Sequence, residues 1–351
     1  MLKHRLYQDD LEYCISYSAI EWDKLANKTI LITGATGTIG RFLIDAIMLR
    51  NKIYSSNIFI IAVSRTEKTA RICFSDYFKN SQFRYVSHNI NMPLTDIGNV
   101  DYIIHAASNT HPVAYATDPI GTITTNVFGT YHVLNYGKNH NVTRIMLLST
   151  VEIYGENKSN SERFREQDCG YIDCATLRAG YPESKRVSES LCFAFQEKYV
   201  LDIVISRLCR VYGPTITNSD SKALSQFIHN GTNNEDIVLK SKGTQVFSYC
   251  YIADAVTALL VILLNGKSGE VYNIADPASE ISLKGLAKLI ADFSKKKVIF
   301  ELPNQEEVKG FSKATKALLD SSKLAALNWL ARDTIKSGIM KTIEILKNQG
   351  D

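Results

Sequence analysis

Tyr181 and Lys185 stand four residues apart in "GYPESKRVSES" (Gly180 to Ser190), a stretch that reads as the start of a helix. At i and i+4 they share one helix face. A free tyrosine titrates at about pH 10 and is a poor base near neutrality. A neighbouring ammonium favours the phenolate and lowers that value. Such a pair can take a proton from a hydroxyl while hydride leaves the same carbon. A YxxxK spacing recurs by chance, and without a context it reads as a surface tyrosine beside a solvated lysine. The context is "LLSTVEIYG", which reads as the end of a strand. Thr150 can hydrogen-bond the reacting hydroxyl, and Glu152, two residues on, can reach the same pocket. The plainer reading of Glu152 is a solvent-facing loop carboxylate.

Hydride needs an acceptor, and "TGATGTIG" supplies a place for one. Gly34, Gly37 and Gly40 follow a strand and open a helix, with Thr36, Thr38 and Ile39 between them. Glycines there allow a tight turn and a close backbone approach to a pyrophosphate. The helix N-terminus offers free N–H groups and the positive end of its dipole to that anion. The expectation is a bound dinucleotide, with Lys185 holding the nicotinamide ribose. The second strand ends in "AVSRTEK", where Ser64 and Arg65 precede any carboxylate. An acid at this place usually meets the adenosine ribose of NAD. Arg65 instead suits a 2′-phosphate, so NADP is slightly favoured over NAD.

These residues need a scaffold. Apolar runs at Lys28–Gly34, Asn57–Ser64, Val100–Ser108, Val142–Thr150 and Leu201–Leu208 alternate with helical patterns at Gly40–Arg50, Thr122–Asn139 and Tyr181–Tyr199. Continuous apolar strands alternating with helices imply an α/β fold with a doubly wound parallel sheet covered on both faces. Ligands of such sheets lie at the carboxyl ends of the strands. The expected dinucleotide-binding domain spans residues 1–214, with 246–276 returning to it. The expected smaller C-terminal α/β substrate lobe takes 215–245 and 277–351. The chain has 351 residues, 45% of them apolar and 22% charged, enough for a sizeable core. A net charge of +4 without a basic stripe argues against nucleic-acid binding. Seven scattered cysteines lack metal-ligand spacing and read as reduced thiols, mostly core filler, in a cytoplasmic protein. No metal is expected, and His111 and His132 have no partners at ligand spacing. No apolar run is long enough for a membrane span, and "AVTALLVILL" (Ala255 to Leu264) reads as a buried helix.

The set "TGATGTIG", "HAAS" (His105 to Ser108), "NVFGT" (Asn126 to Thr130), "LLSTVEIYG", "YPESK", "RLCRVYGP" (Arg207 to Pro214), "YIADAV" (Tyr251 to Val256) and "LDSSKLAALNW" (Leu319 to Trp329) resembles, in order, the NAD-dependent epimerase/dehydratase family of extended short-chain dehydrogenase/reductases. The resemblance runs from about residue 28 to the C-terminus. It implies a Rossmann fold and action on nucleotide-diphosphate sugars. It makes Thr150, Tyr181 and Lys185 a catalytic triad. It sets Ala106, Ala107, Ser108 and Asn126 beside the cofactor, and Asn89 and Ile90 where an Asp-hydrophobe pair contacts adenine. Ser108, Thr150, Glu152, Arg210 and Lys316 become candidates for the substrate. The resemblance also implies a homodimer formed through two helices per subunit, here Thr122 to Asn139 and Tyr181 to Tyr199.

Three positions depart from the family pattern. Arg210 stands where an Asn is common, Phe247 stands where an Arg is common, and "GFSKATKALLD" supplies Lys313 and Lys316 where decarboxylases carry arginines. A relocated arginine can compensate, since a diphosphate needs cationic partners. The shared first step is oxidation at C4. Glu152 then favours lyase chemistry, 4,6-dehydration or decarboxylation, over plain 4-epimerisation. A non-catalytic dinucleotide-binding sensor or assembly protein is the reading from another class, and the intact Thr150, Tyr181 and Lys185 argue against it. Tyr154 reads as packed, His105 as a strand-end residue, and Cys174 and Cys209 as buried.

Overall fold

The structure is a computed structural model, described over residues 1–95, 97–110, 112–156, 162–301, 303 and 315–348. His111 and Lys313 lie outside the described residues. Seven parallel strands form the central sheet: β1 (Thr29–Thr33), β2 (Phe59–Ser64), β3 (Phe83–Ser87), β4 (Tyr102–His105), β5 (Arg144–Thr150), β6 (Ile203–Leu208) and β10 (Val271–Ile274). Their spatial order is β10-β6-β5-β4-β1-β2-β3. The order reverses between β1 and β4, which pair in register from Ile30↔Tyr102 to Thr33↔His105. A crevice for a ligand opens at such a reversal.

The strands are apolar without a break because both sheet faces are covered. Successive side chains of a strand point to opposite faces. Ile30 and Ile32 accordingly join one core with Tyr7 and Leu11 of α1 (Arg5–Ser16), Phe42 of α2 (Thr38–Tyr54) and the buried α8 (Ile252–Asn265). Leu31 joins the other core with Val133 and Leu134 of α5 (Pro119–Asn139) and Cys192 and Phe195 of α6 (Gly180–Tyr199). Asp118 caps α5 by accepting from Gly121 N at 2.9 Å, and Pro119 fits its first turn.

Two strands differ from the sequence expectation. β3, unpredicted, is an edge strand whose burial is mixed, so it lacks the unbroken apolar run of its neighbours. β9 (Val246–Tyr251), expected with 246–276 to rejoin the central sheet, pairs instead in a four-stranded sheet with β7 (Arg210–Tyr212), β11 (Glu280–Ser282) and β13 (Lys316–Ala317). From that segment only β10 enters the central sheet. The second lobe also holds the parallel pair β8 (Ile237–Leu239) and β12 (Val298–Phe300), with α7 (Ala223–Thr232) and α9 (Leu283–Ser294). α1 and the closing helix Ile335–Lys347 are tied by charge: Asp10, fully buried, meets Arg332 at 2.5 Å and Lys341 at 2.9 Å. No described helix is long and apolar enough to cross a membrane.

Candidate active site

The glycine turn lies at the sheet reversal. A Cβ on Gly34 would sit 2.7 Å from Ala106 C, Ala106 O and Ala107 N, and φ there is +69°. Only glycine lets β1 and the strand end after β4 approach this closely. A Cβ on Gly40 would sit 2.6 Å from Gly34 O, so the start of α2 packs against the turn itself. Gly37 precedes α2 without a side-chain cap, which leaves the first amides of the helix, from Thr38 and Ile39 onward, for an anion. A dinucleotide pyrophosphate fits this cradle by geometry and by charge. Ala106 and Ala107 lie at its wall, after β4, and Ser108 follows them. Ser108 Oγ donates to Asn126 Oδ1 at 2.7 Å, and Asn126 Nδ2 donates to Ser184 Oγ at 2.9 Å. Asn126 thus joins the strand end after β4 to the first turn of α6.

The adenosine end is more open. Ser64 Oγ pairs with Tyr85 Oη at 3.2 Å, and the Arg65 side chain is exposed, with Glu67 opening the helix that follows. Ile90 is buried, packed beside Gly129, while Asn89 is exposed and turns back to accept from Asn91 N at 3.1 Å.

Thr150 ends β5, and Tyr181 and Lys185 lie in the first turns of α6, which packs across that strand. All three are buried. Burial pushes the Tyr181 phenol up to about 12, while hydrogen bonding from Thr150 and the charge of Arg178 pull the other way. Burial lowers the Lys185 ammonium to about 8, against the opposing charge of Glu189. Lys185 Nζ donates to Leu148 O at 2.9 Å, fixing it on β5. Glu189, one turn further along α6, meets Arg207 at 2.6 Å and also takes the hydroxyl of Ser149. Arg207 in turn donates to Tyr154 Oη at 3.0 Å, and Tyr154 donates to Asn273 Oδ1 at 2.6 Å. Tyr154 is therefore packed, as its sequence suggests. His105 is a strand-end residue bonded to Thr33 Oγ1 at 2.7 Å, and burial lowers it to about 3, so it is neutral.

Glu152 is not a free loop carboxylate. It is held by Arg178 Nη2 at 2.6 Å, with both side chains largely buried. Arg178 lies over the Tyr115 ring at 4.8 Å, and Tyr115 stacks on Tyr181 at 4.7 Å. The column Arg178–Tyr115–Tyr181 had no motif to announce it. The only sequence signal for Arg178 is its place three residues before Tyr181.

On the side of the second lobe, Arg210 of β7 lies 3.3 Å above the Phe247 ring of β9, and its Nη1 is buried without a partner among the described residues. The guanidinium thus occupies the space over position 247 that the sequence leaves without its own cation. Lys316 is exposed on the edge strand β13. Cys209 is buried, whereas Cys174, expected to be buried, is exposed in the loop before α6. Of the apolar residues of α6, Phe195 is buried and Leu191 half-buried, while Val187 and Ala194 are exposed; the buried side also carries Lys185, Ser188, Glu189 and Cys192.

Comparison with known proteins agrees with this architecture. The sequence model of the NAD dependent epimerase/dehydratase family matches residues 30–275. UDP-glucuronic acid decarboxylase 6 of Arabidopsis thaliana is 29% identical over 90% of this chain and 87% of its own length. UDP-glucuronic acid decarboxylase 5 of the same plant is 31% identical over 76% and 75%. Among solved structures, a dTDP-glucose 4,6-dehydratase from Streptomyces venezuelae with NAD bound superposes with a TM-score of 0.79 at 22% identity, covering 91% of this chain and 97% of its own. A UDP-glucuronic acid 4-epimerase from Bacillus cereus gives 0.78 at 20% identity, covering 92% and 99%. With its glycine cradle at the sheet reversal and a match across the whole central sheet, the chain belongs to the NAD-dependent epimerase/dehydratase family.

Proposed function

We propose that the protein is a nucleotide-sugar lyase that oxidises C4 transiently and then loses water or carbon dioxide. The observation that carries this reading is Glu152, a carboxylate held by Arg178 beside Tyr181. By the family resemblance, plain 4-epimerases usually carry small residues in place of Glu152. The curated relatives named above are decarboxylases, and they support the lyase side.

Tyr181 takes the proton of the C4 hydroxyl and Thr150 holds that oxygen; the cation that favours the phenolate is Arg178 and not, as the sequence spacing suggests, Lys185, which holds the nicotinamide ribose. The nicotinamide, when bound, accepts the C4 hydrogen as hydride and returns it at the end. A ketone at C4 acidifies the C5 hydrogen and turns any C6 carboxylate into a β-keto acid. For dehydration, Glu152 takes the C5 proton, the C5–H electrons form the C5=C6 bond, and the C6 hydroxyl leaves as water with the proton that Glu152 has taken. For decarboxylation, the C5–C6 bond breaks, its electrons pass to the C4 oxygen as an enolate, and C5 then takes a proton. Tyr181 and Thr150 donate to that enolate oxygen.

The glycine turn, Ala106, Ala107, Ser108 and Asn126 hold the cofactor, and Ser64, Arg65, Asn89 and Ile90 line its adenosine end. The exposed charge of Arg65 favours a 2′-phosphate and so NADP, whereas solved relatives hold NAD. Arg210 and Lys316 bind the nucleotide diphosphate. Exposed Ile123, Phe128 and Tyr131 on α5, and Val187 and Phe193 on α6, support a homodimer through these helices. Light scattering after gel filtration checks that mass.

The test of the reaction is product mass. Purified protein with NAD or NADP is incubated with UDP-, dTDP-, GDP- and CDP-sugars, UDP-glucuronate among them. Loss of water or carbon dioxide from one substrate is expected. An isomer of unchanged mass would make the protein an epimerase and Glu152 structural.

A further inference from the structure

The crevice at the sheet reversal is bridged. One side of it is the chain that follows β1 and opens α2, and the other is the chain that follows β4 and leads into the short helix α4 (Pro112–Thr117). Residues 215–221 of the second lobe, which come after β7, are bonded to both sides. Thr215 Oγ1 donates to Thr38 O, in the first turn of α2, at 2.8 Å. At the other end of the segment, Ser221 Oγ accepts from Val113 N of α4 at 3.2 Å.

The segment has anchored ends and an open middle. Thr215, Ile216 and Asp220 are buried, whereas Asn218 and Ser219 are exposed. Ile216 N donates to Gly213 O at 3.2 Å and Asp220 N to Thr217 O at 3.0 Å, so each end is a turn. The Asp220 carboxylate accepts from Lys222 N and Lys222 Nζ, each at 3.0 Å, and its carbonyl accepts from Gln226 Nε2 at 2.9 Å, which ties this end to α7. Both anchor points belong to the site. Thr38 opens the helix whose amides await the pyrophosphate, and α4 carries Tyr115, which stacks on Tyr181.

We propose that residues 215–221 form a strap that gates the dinucleotide, which enters and leaves the crevice only while the strap has released Thr38 or Val113. This rests on the reading of the glycine cradle as a dinucleotide site and is independent of which product the enzyme forms. Neither anchoring bond involves the cofactor, so both oppose entry as well as release. Loosening either one enlarges the open population in the loaded and the unloaded protein alike. Entry and release should therefore speed up by one common factor while the dissociation constant stays where it is. A residue that touches the cofactor, or that only packs the fold, would change the affinity instead.

The test follows NADH and NADPH by nicotinamide fluorescence in a stopped-flow instrument. Entry is read from the concentration dependence of binding, and release by mixing the loaded protein with excess NAD or NADP. Thr215→Val keeps the side-chain shape and removes the hydroxyl. It should raise both rates about 3- to 10-fold, the factor for one hydrogen bond, with the dissociation constant within about twofold of wild type. Ser221→Ala should do the same from the other end, and Thr215→Ser should restore the wild-type rates. Thr217→Val, between the anchors, should leave both rates unchanged. Wild-type rates in both Thr215→Val and Ser221→Ala overturn the gate, and so does weaker binding with entry unchanged. A wild type that binds neither dinucleotide removes the cradle reading and the gate with it, whereas binding with unaltered rates in the variants removes the gate alone.

Discussion

Replacing Lys185 by Met should stabilise the protein while removing its activity. Lys185 is buried, and its ammonium titrates at about 8 in place of 10.5. That lowering corresponds to ~3 kcal/mol at neutral pH. The sign is destabilising. Between pH 8 and 10.5 the unfolded chain binds the proton and the folded chain does not, so stability rises with pH through that window. Below pH 8 both states bind it and the full penalty stands. Met has a similar length and no charge, so it removes the penalty, while the contact to Leu148 O and the attraction of Glu189 are lost. These losses set ~3 kcal/mol as an upper value, with a gain of about 1–3 kcal/mol expected. For 351 residues, an unfolding entropy of about 0.7 kcal/mol/K makes ~3 kcal/mol an increase in Tm of about 4 °C. The assay is urea and thermal unfolding without cofactor, at pH 7 and pH 10. The advantage of Lys185→Met should be largest at pH 7 and shrink by pH 10. A variant less stable than wild type at pH 7, or a difference independent of pH, would falsify the reasoning.

Other expectations concern cofactor and chemistry. Gly34→Ala sets a Cβ 2.7 Å from Ala106 backbone atoms at a φ of +69°, so cofactor titration should show binding lost or weakened at least about tenfold, with stability lowered by about 1–3 kcal/mol. Tyr181→Phe should reduce kcat by about 10²–10⁴ while the dissociation constant of the nucleotide-sugar changes little, as stopped-flow and titration would read. Where the product has lost water, Glu152→Gln should retain reduction of the nicotinamide on adding substrate yet lose most product formation; product formation at the wild-type rate would remove Glu152 from the mechanism. Arg65→Ala should lower the NADP-to-NAD affinity ratio about tenfold, and an unchanged ratio would leave the exposed guanidinium without a cofactor role.

The central sheet was legible because strands covered on both faces must be apolar without interruption. β1, β2, β4, β5 and β6 all meet that condition, and the turn after β1 needs glycine where the backbone approaches Ala106. β3 was hidden for the same reason in reverse: at the sheet edge, only part of "FRYVS" is buried. β9 misled because its apolar residues fit any sheet, and pairing partners are not written in one strand's pattern. The pair Tyr181 and Lys185 was legible through helix periodicity, but the partner of Glu152 was not. Arg178 precedes α6, where no period relates residues, and its contact with Glu152 crosses 26 positions. The buried side of α6 mixes Cys192 and Phe195 with Lys185, Ser188 and Glu189, so hydropathy alone does not mark it.

The small sheet has a consequence for the order of folding. β9 draws its neighbours from residues 210–212, 280–282 and 316–317, so each pairing closes a long loop. Long-range pairings form slowly, after the local contacts that make their ends meet. The central sheet is complete in the chain once β10 ends at Ile274, before either β11 or β13 exists on a growing polypeptide. A nascent chain can therefore assemble its central sheet first, and the small sheet is the last to appear. Pulse-labelled hydrogen exchange during refolding should show β1, β4 and β5 protected before β9, and simultaneous protection would count against this sequence of events.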